Sequence, residues 1–225
     1  MITNTQWTNL LSVFALSFAL IGISFAQDTH DESTPEQTIN TGRKIKVVEV
    51  FWYGCSRCYS FERHVEKWLT EKEDYIEFVR IPGALGKNWL PHARAYYVAE
   101  KLGVLEKIHR PLFDAIHKEK RKILNKESLR DFFAEYGVDE SIFDEHYHSK
   151  EVGLDVERSY AFGQRYGIRG VPAIIINGKY GASVSVAGGY DKLIDVINMV
   201  AAKEYEEYGK TEISDQATTI YWEQH

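Results

Sequence analysis

The feature that most constrains this chain is a pair of cysteines, Cys55 and Cys58, the only two in its 225 residues. They lie where an apolar run at 47–52, interrupted by Glu49, gives way to a helical pattern. The apolar, β-branched run is typical of a buried parallel strand. The pattern after it has the spacing of one helix face, set by Cys58, Phe61, Val65, Trp68 and Leu69. The sequence therefore predicts a strand that leads, after Gly54, into a helix with Cys55 in its first turn.

A second strand and a long helical segment follow. Residues 76–81 predict the second strand, which Pro82 and Gly83 close, so that strand, helix and strand form a βαβ unit with a right-handed crossover. Apolar spacing then predicts several amphipathic helices between residues 88 and 167. Pro111 is expected to kink or split one of these helices, and Asp139 is expected to N-cap another.

The strand pattern returns towards the C-terminus. Residues 171–176 predict a strand that ends at Asn177-Gly178, a strong hairpin signal. Val184 and Val186 alternate with serines, which predicts that they lie on the return strand. The order of elements is therefore βαβ, a helical insertion, and then a hairpin followed by a helix.

This order predicts the fold class. A last amphipathic helix is expected around residues 193–201, and the polar residues after Tyr205 are expected to be loose. A C-x-x-C motif after the first strand of a βαβ unit is typical of a thioredoxin-like redox domain. The expected fold is α/β, a thioredoxin-like fold with a helical insertion domain. Its parts are the thioredoxin-like domain at 44–87 and 168–203, the inserted helical domain at 88–167 and a polar tail at 204–225.

The N-terminal segment predicts export. Residues 10–25 are apolar and uncharged, and residues 24–26 (Ser-Phe-Ala) place small side chains where a signal peptidase reads. We therefore expect a signal peptide at 1–26 and a flexible leader at 27–43. No Lys or Arg precedes the apolar run, so an uncleaved anchor is the alternative. However, this segment has 16 residues, and a membrane span needs roughly 20.

The two cysteines are better suited to chemistry than to stabilising a fold. A bond between Cys55 and Cys58 would close so short a loop that it would remove little chain entropy, and exported domains held by disulfides carry several pairs. Unpaired N–H groups and the helix dipole favour an anion at Cys55, and Arg57 adds a cation nearby. We expect Cys55 to be the attacking thiolate, Cys58 the deeper partner, and their disulfide to serve without any other cofactor. The alternatives are a pair of buried apolar cysteines and half of a zinc site. A zinc site needs four ligands, and His64 is the nearest further candidate.

Two further residues each have an ordinary and a functional interpretation. Glu49 is either a strand end that reaches water or a partly buried carboxylate, of raised pKa, that handles the proton of Cys58. Pro172 is either an ordinary first residue of a strand or the second residue of a cis peptide after Val171. In the second case the loop would bend towards the cysteines and present backbone groups to a peptide substrate.

Several of these segments together resemble the DsbA-type thiol:disulfide interchange proteins of the bacterial periplasm. The resemblance rests on residues 47–55 and 58–62 around the cysteines, on Gly170-Val171-Pro172-Ala173 and on the hairpin residues 177–180. The helical insertion is similar in length and place. The resemblance covers nearly all of residues 44–203.

The resemblance implies roles for particular residues. By motif position, Cys55 is the nucleophile, Cys58 its resolving partner and Glu49 the family's buried acid. Pro172 corresponds to the family's cis-proline, and Val171 before it contacts the substrate. The implied partners are reduced exported polypeptides and a quinone-linked membrane oxidase of the DsbB type, which restores the disulfide.

The dipeptide between the cysteines departs from that family. Its commonest dipeptide is Pro-His, whereas this chain has Ser56-Arg57. Histidine gains and loses charge, but the guanidinium of Arg57 is permanently cationic and still favours a thiolate. Because the neighbours of the sulfurs set the redox potential, the resemblance leaves the oxidising strength and the recharging partner open.

The sequence as a whole predicts a monomeric, periplasmic dithiol oxidase. The alternatives are a reductase or isomerase on the same fold, a non-catalytic peptide-binding chaperone and a metal-binding module. A formal net charge of −6 argues against a nucleic-acid partner.

Overall fold

The computed structural model describes the backbone of residues 44–223 and the side chains of residues 44–208. The expected signal peptide at 1–26 and leader at 27–43 lie outside the described residues. A single 3-10 turn, Lys87–Trp89, precedes the helices of the insertion. The strands and helices are β1 Ile45–Phe51, α1 Ser56–Glu71, β2 Ile76–Pro82, α2 Leu90–Lys101, α3 Leu105–His117, α4 Lys126–Glu135, α5 Glu140–His148, α6 Lys150–Arg165, β3 Ala173–Ile176, β4 Tyr180–Ser183, α7 Val184–Ala187 and α8 Tyr190–Glu223.

A four-stranded sheet with the order β2-β1-β3-β4 lies at the centre of the fold. β1 and β2 are parallel and in register from Ile45 with Ile76 to Phe51 with Pro82, as the predicted βαβ unit requires. β3 is antiparallel to both β1 and β4. Because β1 has a strand on each side and is covered on both faces, it carries a nearly continuous apolar sequence.

Helices cover both faces of this sheet. Val47 packs with Phe61 of α1 and with apolar residues of α8 on one face. Val48 packs near Phe162 of α6 on the other face. Side chains alternate along a strand, so Glu49 shares the face of Val47 and points towards α1.

The helices α2 to α6 form the insertion between β2 and β3. Their shared core includes Leu112 and Phe133, and it also takes in Tyr53 and Cys58 from the sheet side. The cysteine pair therefore lies where the insertion meets the sheet. Asp139 N-caps α5 as predicted, since its carboxylate accepts a hydrogen bond from the Ser141 N–H at 2.8 Å.

Of the two expected effects of Pro111, a kink or a split, the structure excludes the split. It lies inside α3, which continues from Leu105 to His117. Proline removes one intrahelical hydrogen bond. The neighbouring Ile108, Leu112 and Phe113 are fully buried, and their packing outweighs that loss.

The predicted return strand is also wrong in its second half. Val184 and Val186 lie on the single-turn helix α7, which the Ser183 side chain caps. β3 begins at Ala173, which pairs with Ser183, so no strand residue remains to pair with residue 184. Alternating apolar and polar residues predict a strand only where a partner strand is available.

The segment after Tyr205 is helical rather than loose, because α8 continues to Glu223. It carries Glu, Lys and Ala, which favour a helix, and it has no proline to break one. Glu204 fixes α8 to the hairpin by accepting a 2.6 Å hydrogen bond from the Asn177 amide. Within the described residues, no helix has the length and apolar character needed to cross a bilayer.

Candidate active site

Cys55 is the N-cap residue of α1 and not, as predicted, part of its first turn. Its backbone is extended, and its Sγ accepts a hydrogen bond from the Cys58 N–H at 3.3 Å. Serine and aspartate usually occupy this position because their oxygens pair with unsatisfied N–H groups. Here the sulfur of Cys55 occupies that position. The unpaired N–H groups and the positive end of the helix dipole therefore point towards this sulfur.

This environment lowers the pKa of Cys55 to about 6. The largest cause is a hydrogen bond from the Cys58 thiol, followed among the lowering effects by the N–H groups of Cys58 and Arg57. The charge of Arg57 contributes least, since that side chain is exposed to solvent. Arg57 therefore acts in the predicted direction, but the cap of the helix has the larger effect.

Cys58 has the opposite environment. It is 1% exposed and belongs to the core beneath α1. Burial, together with the thiol hydrogen bond to Cys55 and the negative charge there, raises the pKa of Cys58 far above that of a free thiol. In the reduced protein one sulfur is therefore an accessible thiolate and the other a buried thiol.

The loop before β3 approaches Cys55 from far along the chain. The peptide bond between Val171 and Pro172 is cis, as the functional interpretation of Pro172 required. The Val171 carbonyl oxygen accepts a hydrogen bond from Cys55 Sγ at 3.4 Å, and Pro172 is buried. The structure thus places Val171, which Pro172 follows in the chain, beside the half-buried sulfur of Cys55.

Glu49 is buried beneath the pair, with 1% of its surface exposed. Burial and the nearby Glu62 carboxylate raise the pKa of Glu49 to about 8, although Arg80 opposes the shift. The Arg80 Nε lies 3.4 Å from one Glu49 oxygen, yet neither oxygen makes a hydrogen bond within the described residues. Glu49 also interacts electrostatically with Cys55 and Cys58. It is therefore mostly protonated at neutral pH and able to exchange a proton there.

A buried polar network that the sequence analysis missed surrounds Glu49. The Arg80 guanidinium donates a 2.6 Å hydrogen bond to Glu62, which makes Glu62 its closer carboxylate partner. His109 Nε2 lies 3.4 Å from Glu62, and its Nδ1 is 2.8 Å from the Tyr53 hydroxyl. Burial would raise the pKa of Glu62, but His109 and Arg80 outweigh it and hold the pKa below its usual value.

No other group of ligands competes with this interpretation of the cysteines. Among the side chains that the structure describes, no three of His, Cys, Asp and Glu converge as a metal site would require. His64, the nearest zinc candidate in the sequence, instead lies 2.8 Å from the Asp191 carboxylate at the start of α8.

The thiolate at Cys55 is directly measurable. We expect the ultraviolet thiolate absorbance of the reduced protein to rise in one transition near pH 6. Cys55→Ser should remove that transition, and Cys58→Ala should move it to higher pH because the side-chain hydrogen bond to the thiolate is lost. A transition near 9.0, the ordinary thiol value, would contradict the assignment.

The same shift affects stability with a definite sign. The folded pKa of Cys55 lies below its unfolded value, so the stabilisation is complete above about pH 9 and is lost as the pH falls to about 6. The oxidised protein has no titrating thiol. The free energy of unfolding of the reduced form, compared with that of the oxidised form, should therefore increase as the pH rises from about 6 to about 9.

The fold and this dithiol define a class of protein, the thioredoxin-like thiol:disulfide oxidoreductases. Residues 69–195 match the family described as "DSBA-like thioredoxin domain", in a stretch that begins after the cysteine pair. The chain belongs to the DsbA family of thiol:disulfide interchange proteins. It is accordingly an oxidoreductase whose redox group is a cysteine pair, and the predicted fold class is confirmed.

Named relatives cover nearly the whole chain. The thiol:disulfide interchange protein DsbA of Azotobacter vinelandii is 34% identical, over 84% of this chain and 96% of the relative. The protein of the same name from Pseudomonas aeruginosa PAO1 is 32% identical over 89% of this chain and 94% of its own length.

Solved structures show the same similarity. The crystal structure of Pseudomonas aeruginosa DsbA has a TM-score of 0.72 at 33% identity and covers 77% of this chain and 90% of its own. The oxidoreductase DsbA from Xylella fastidiosa has a TM-score of 0.68 at 28% identity, over 72% of this chain and 87% of its own.

Proposed function

We propose that this oxidoreductase works as a dithiol oxidase, which transfers the Cys55–Cys58 disulfide to reduced polypeptides exported to the periplasm. The observation that carries the proposal is the contrast between the two sulfurs. The pKa of Cys55 is lowered to about 6 and that of Cys58 is raised. Stabilising the reduced form in this way makes the disulfide a stronger oxidant.

The first step uses the exposed sulfur. A substrate thiolate attacks Cys55 Sγ, a bond forms between these two sulfurs, and the Cys55–Cys58 bond breaks. Cys58 leaves as a thiolate and takes a proton, which we assign to the neutral Glu49 carboxyl. Because burial raises the pKa of Cys58, the proton stays on that sulfur.

The second step releases the product. A second substrate thiolate attacks the substrate sulfur of the mixed disulfide, and Cys55 leaves as the stabilised thiolate. The substrate has lost two electrons and the cysteine pair has gained them. We assign Val171 and Pro172 to holding the substrate backbone, since the Val171 carbonyl lies 3.4 Å from Cys55 Sγ.

The proposed setting follows from the family and from the N-terminal sequence. The apolar segment at 10–25 supports export through a signal peptide at 1–26. Outside the cytoplasm the reduced pair needs an oxidant, and we assign that role to a quinone-linked membrane oxidase of the DsbB type. Glu49 would then accept the proton of Cys58 during reoxidation.

The redox potential of the pair tests the direction of the reaction. At pH 7 a fall in the Cys55 pKa from 9.0 to about 6 favours the reduced form about tenfold, which corresponds to about 30 mV before solvent screening reduces it. We expect equilibration with glutathione to give a potential clearly less negative than about −270 mV, the value of thioredoxin. A potential at or below that value would instead support a reductase.

A further inference from the structure

An open groove lies directly beside the reactive sulfur. Its volume is about 370 Å³, and it runs between the 166–172 loop, β3, β4 and α7. Val171, whose carbonyl contacts Cys55 Sγ, forms part of its wall, and Ile168 and Ile175 make the wall apolar. Because Val171 both lines the groove and contacts the sulfur, a polypeptide whose cysteine reaches Cys55 passes close to this groove.

Among the described residues, the charged side chains that line this groove are those of two arginines. Arg57 precedes Cys58 in α1, and Arg169 precedes Val171 in the loop, so they reach the groove from different elements. Both are exposed. Within the described residues, neither has an ion-pair or hydrogen-bond partner among the contacts that the structure gives.

The two groove arginines differ in this respect from several other arginines among the described residues. Arg80, Arg110, Arg121 and Arg130 each pair with at least one carboxylate. The complete chain carries a formal net charge of −6. A cleft with charges of one sign and apolar walls focuses the electrostatic field, and here that field is positive at the point of reaction.

We infer that this groove selects polypeptide segments that carry Asp or Glu beside the cysteine to be oxidised. The inference rests on the proposed function and names the substrate class of the same site. An extended chain held at Val171 would place its side chains towards Arg169, while residues on the other side of its cysteine would face Arg57. The unpaired guanidiniums would then pair with carboxylates, while the apolar walls contact the alternate side chains.

The expected size of the effect follows from the exposure of both arginines. An exposed ion pair changes affinity by a factor of up to about five, and two such pairs by about tenfold or somewhat more. Electrostatic steering acts in the same direction on the association rate. Both contributions decrease as salt is added, because the charges are screened over about 10 Å at 0.1 M ionic strength.

A single-turnover experiment with oxidised protein tests the inference. Three synthetic peptides would share one sequence with two cysteines and differ only in flanking Glu, Gln or Lys residues. We expect the second-order rate constant at low salt to be about tenfold higher for the Glu peptide than for the Gln peptide. The Lys peptide should be slowest, and salt should bring the three rates together.

Variants then assign the effect to the groove. Arg169→Gln should reduce the ratio of the Glu to the Gln rate by several-fold, whereas Arg165→Gln, at an exposed arginine of α6 that does not line the groove, should leave the ratio unchanged. Arg57→Gln can also change the pKa of Cys55, but such a change affects the Glu and the Gln peptide alike. The ratio of their rates therefore still reports the contribution of Arg57 to the acidic preference.

The outcomes separate the two proposals. Equal rates for Glu and Gln peptides at low salt, or a faster reaction of the Lys peptide, would overturn the acidic preference and leave the oxidase function intact. An equal loss of preference in Arg169→Gln and Arg165→Gln would show a long-range field and overturn the role of the groove. Failure to oxidise any peptide would overturn the proposed function and the inference with it.

Discussion

Cys55→Ser is expected to reduce dithiol oxidation to the uncatalysed background while the protein keeps its fold. The serine hydroxyl cannot form a disulfide, so no bond can pass to a substrate. Serine is also a preferred N-cap residue, and its oxygen can accept the Cys58 N–H hydrogen bond that the sulfur accepts now. The measurement is the oxidation rate of a reduced two-cysteine peptide with glutathione disulfide as the final oxidant, alongside a thermal melt of each variant.

The matched variant, Cys58→Ser, should behave differently. Its Cys55 thiolate still attacks a disulfide, but without Cys58 the resulting mixed disulfide persists and should accumulate on a non-reducing gel. Glu49→Gln should slow the release of the same mixed disulfide in a protein with both cysteines, because the Cys58 thiol then has no carboxylate to take its proton. Full oxidase activity in Cys55→Ser would show that the mechanism is wrong.

The chemistry of the site could be predicted because its parts are local in sequence. Cys55 and Cys58 lie within one helical turn, and the strand before them and the helix after them have clear apolar patterns. The N-terminal end of a helix stabilises an anion whatever the rest of the fold does. The prediction erred by one position, because a side chain that caps a helix lies just before its first residue.

The charge network around Glu49 could not be predicted in the same way. Its members come from β1, α1, β2 and α3, and the position of His109 depends on how the insertion packs against α1. One signal was nevertheless present. Glu49 lies four residues after Ile45, and Arg80 four residues after Ile76, so a parallel pairing in register makes them neighbours. Opposite charges at matching places in two predicted strands indicate such a pair.

The network also explains why a carboxyl of raised pKa is tolerated in the core. Arg80 hydrogen-bonds to Glu62 at 2.6 Å and lies 3.4 Å from Glu49, so its charge mainly compensates Glu62. Glu49 is left with a weaker attraction, and burial then favours its neutral form. Glu62 thus holds the cation in place while Glu49 remains able to exchange a proton with the cysteines.

Arg80→Met is therefore expected to lower the free energy of unfolding by about 3 kcal/mol at pH 7, as is typical when one partner of a buried ion pair is removed. Methionine retains much of the apolar stem, but Glu62 is left as a buried carboxylate without its closest cation. In the native protein, the pKa of Glu62 is lowered, so the stabilisation it gives is lost as the pH falls. The difference between native and variant protein should accordingly shrink in acid. Urea unfolding at several pH values measures both effects.

Two comparisons show whether burial of the charge is the cause. Arg158→Met removes an ion pair of similar length, 2.8 Å to Asp155, from a side chain that is 75% exposed. That variant should change stability by less than about 1 kcal/mol. Adding Glu62→Gln to Arg80→Met should restore part of the lost stability, because the buried amide is neutral and needs no cation beside it. If Arg80→Met and Arg158→Met proved equally mild, Arg80 would not be the cation that makes two buried carboxyls compatible with this core.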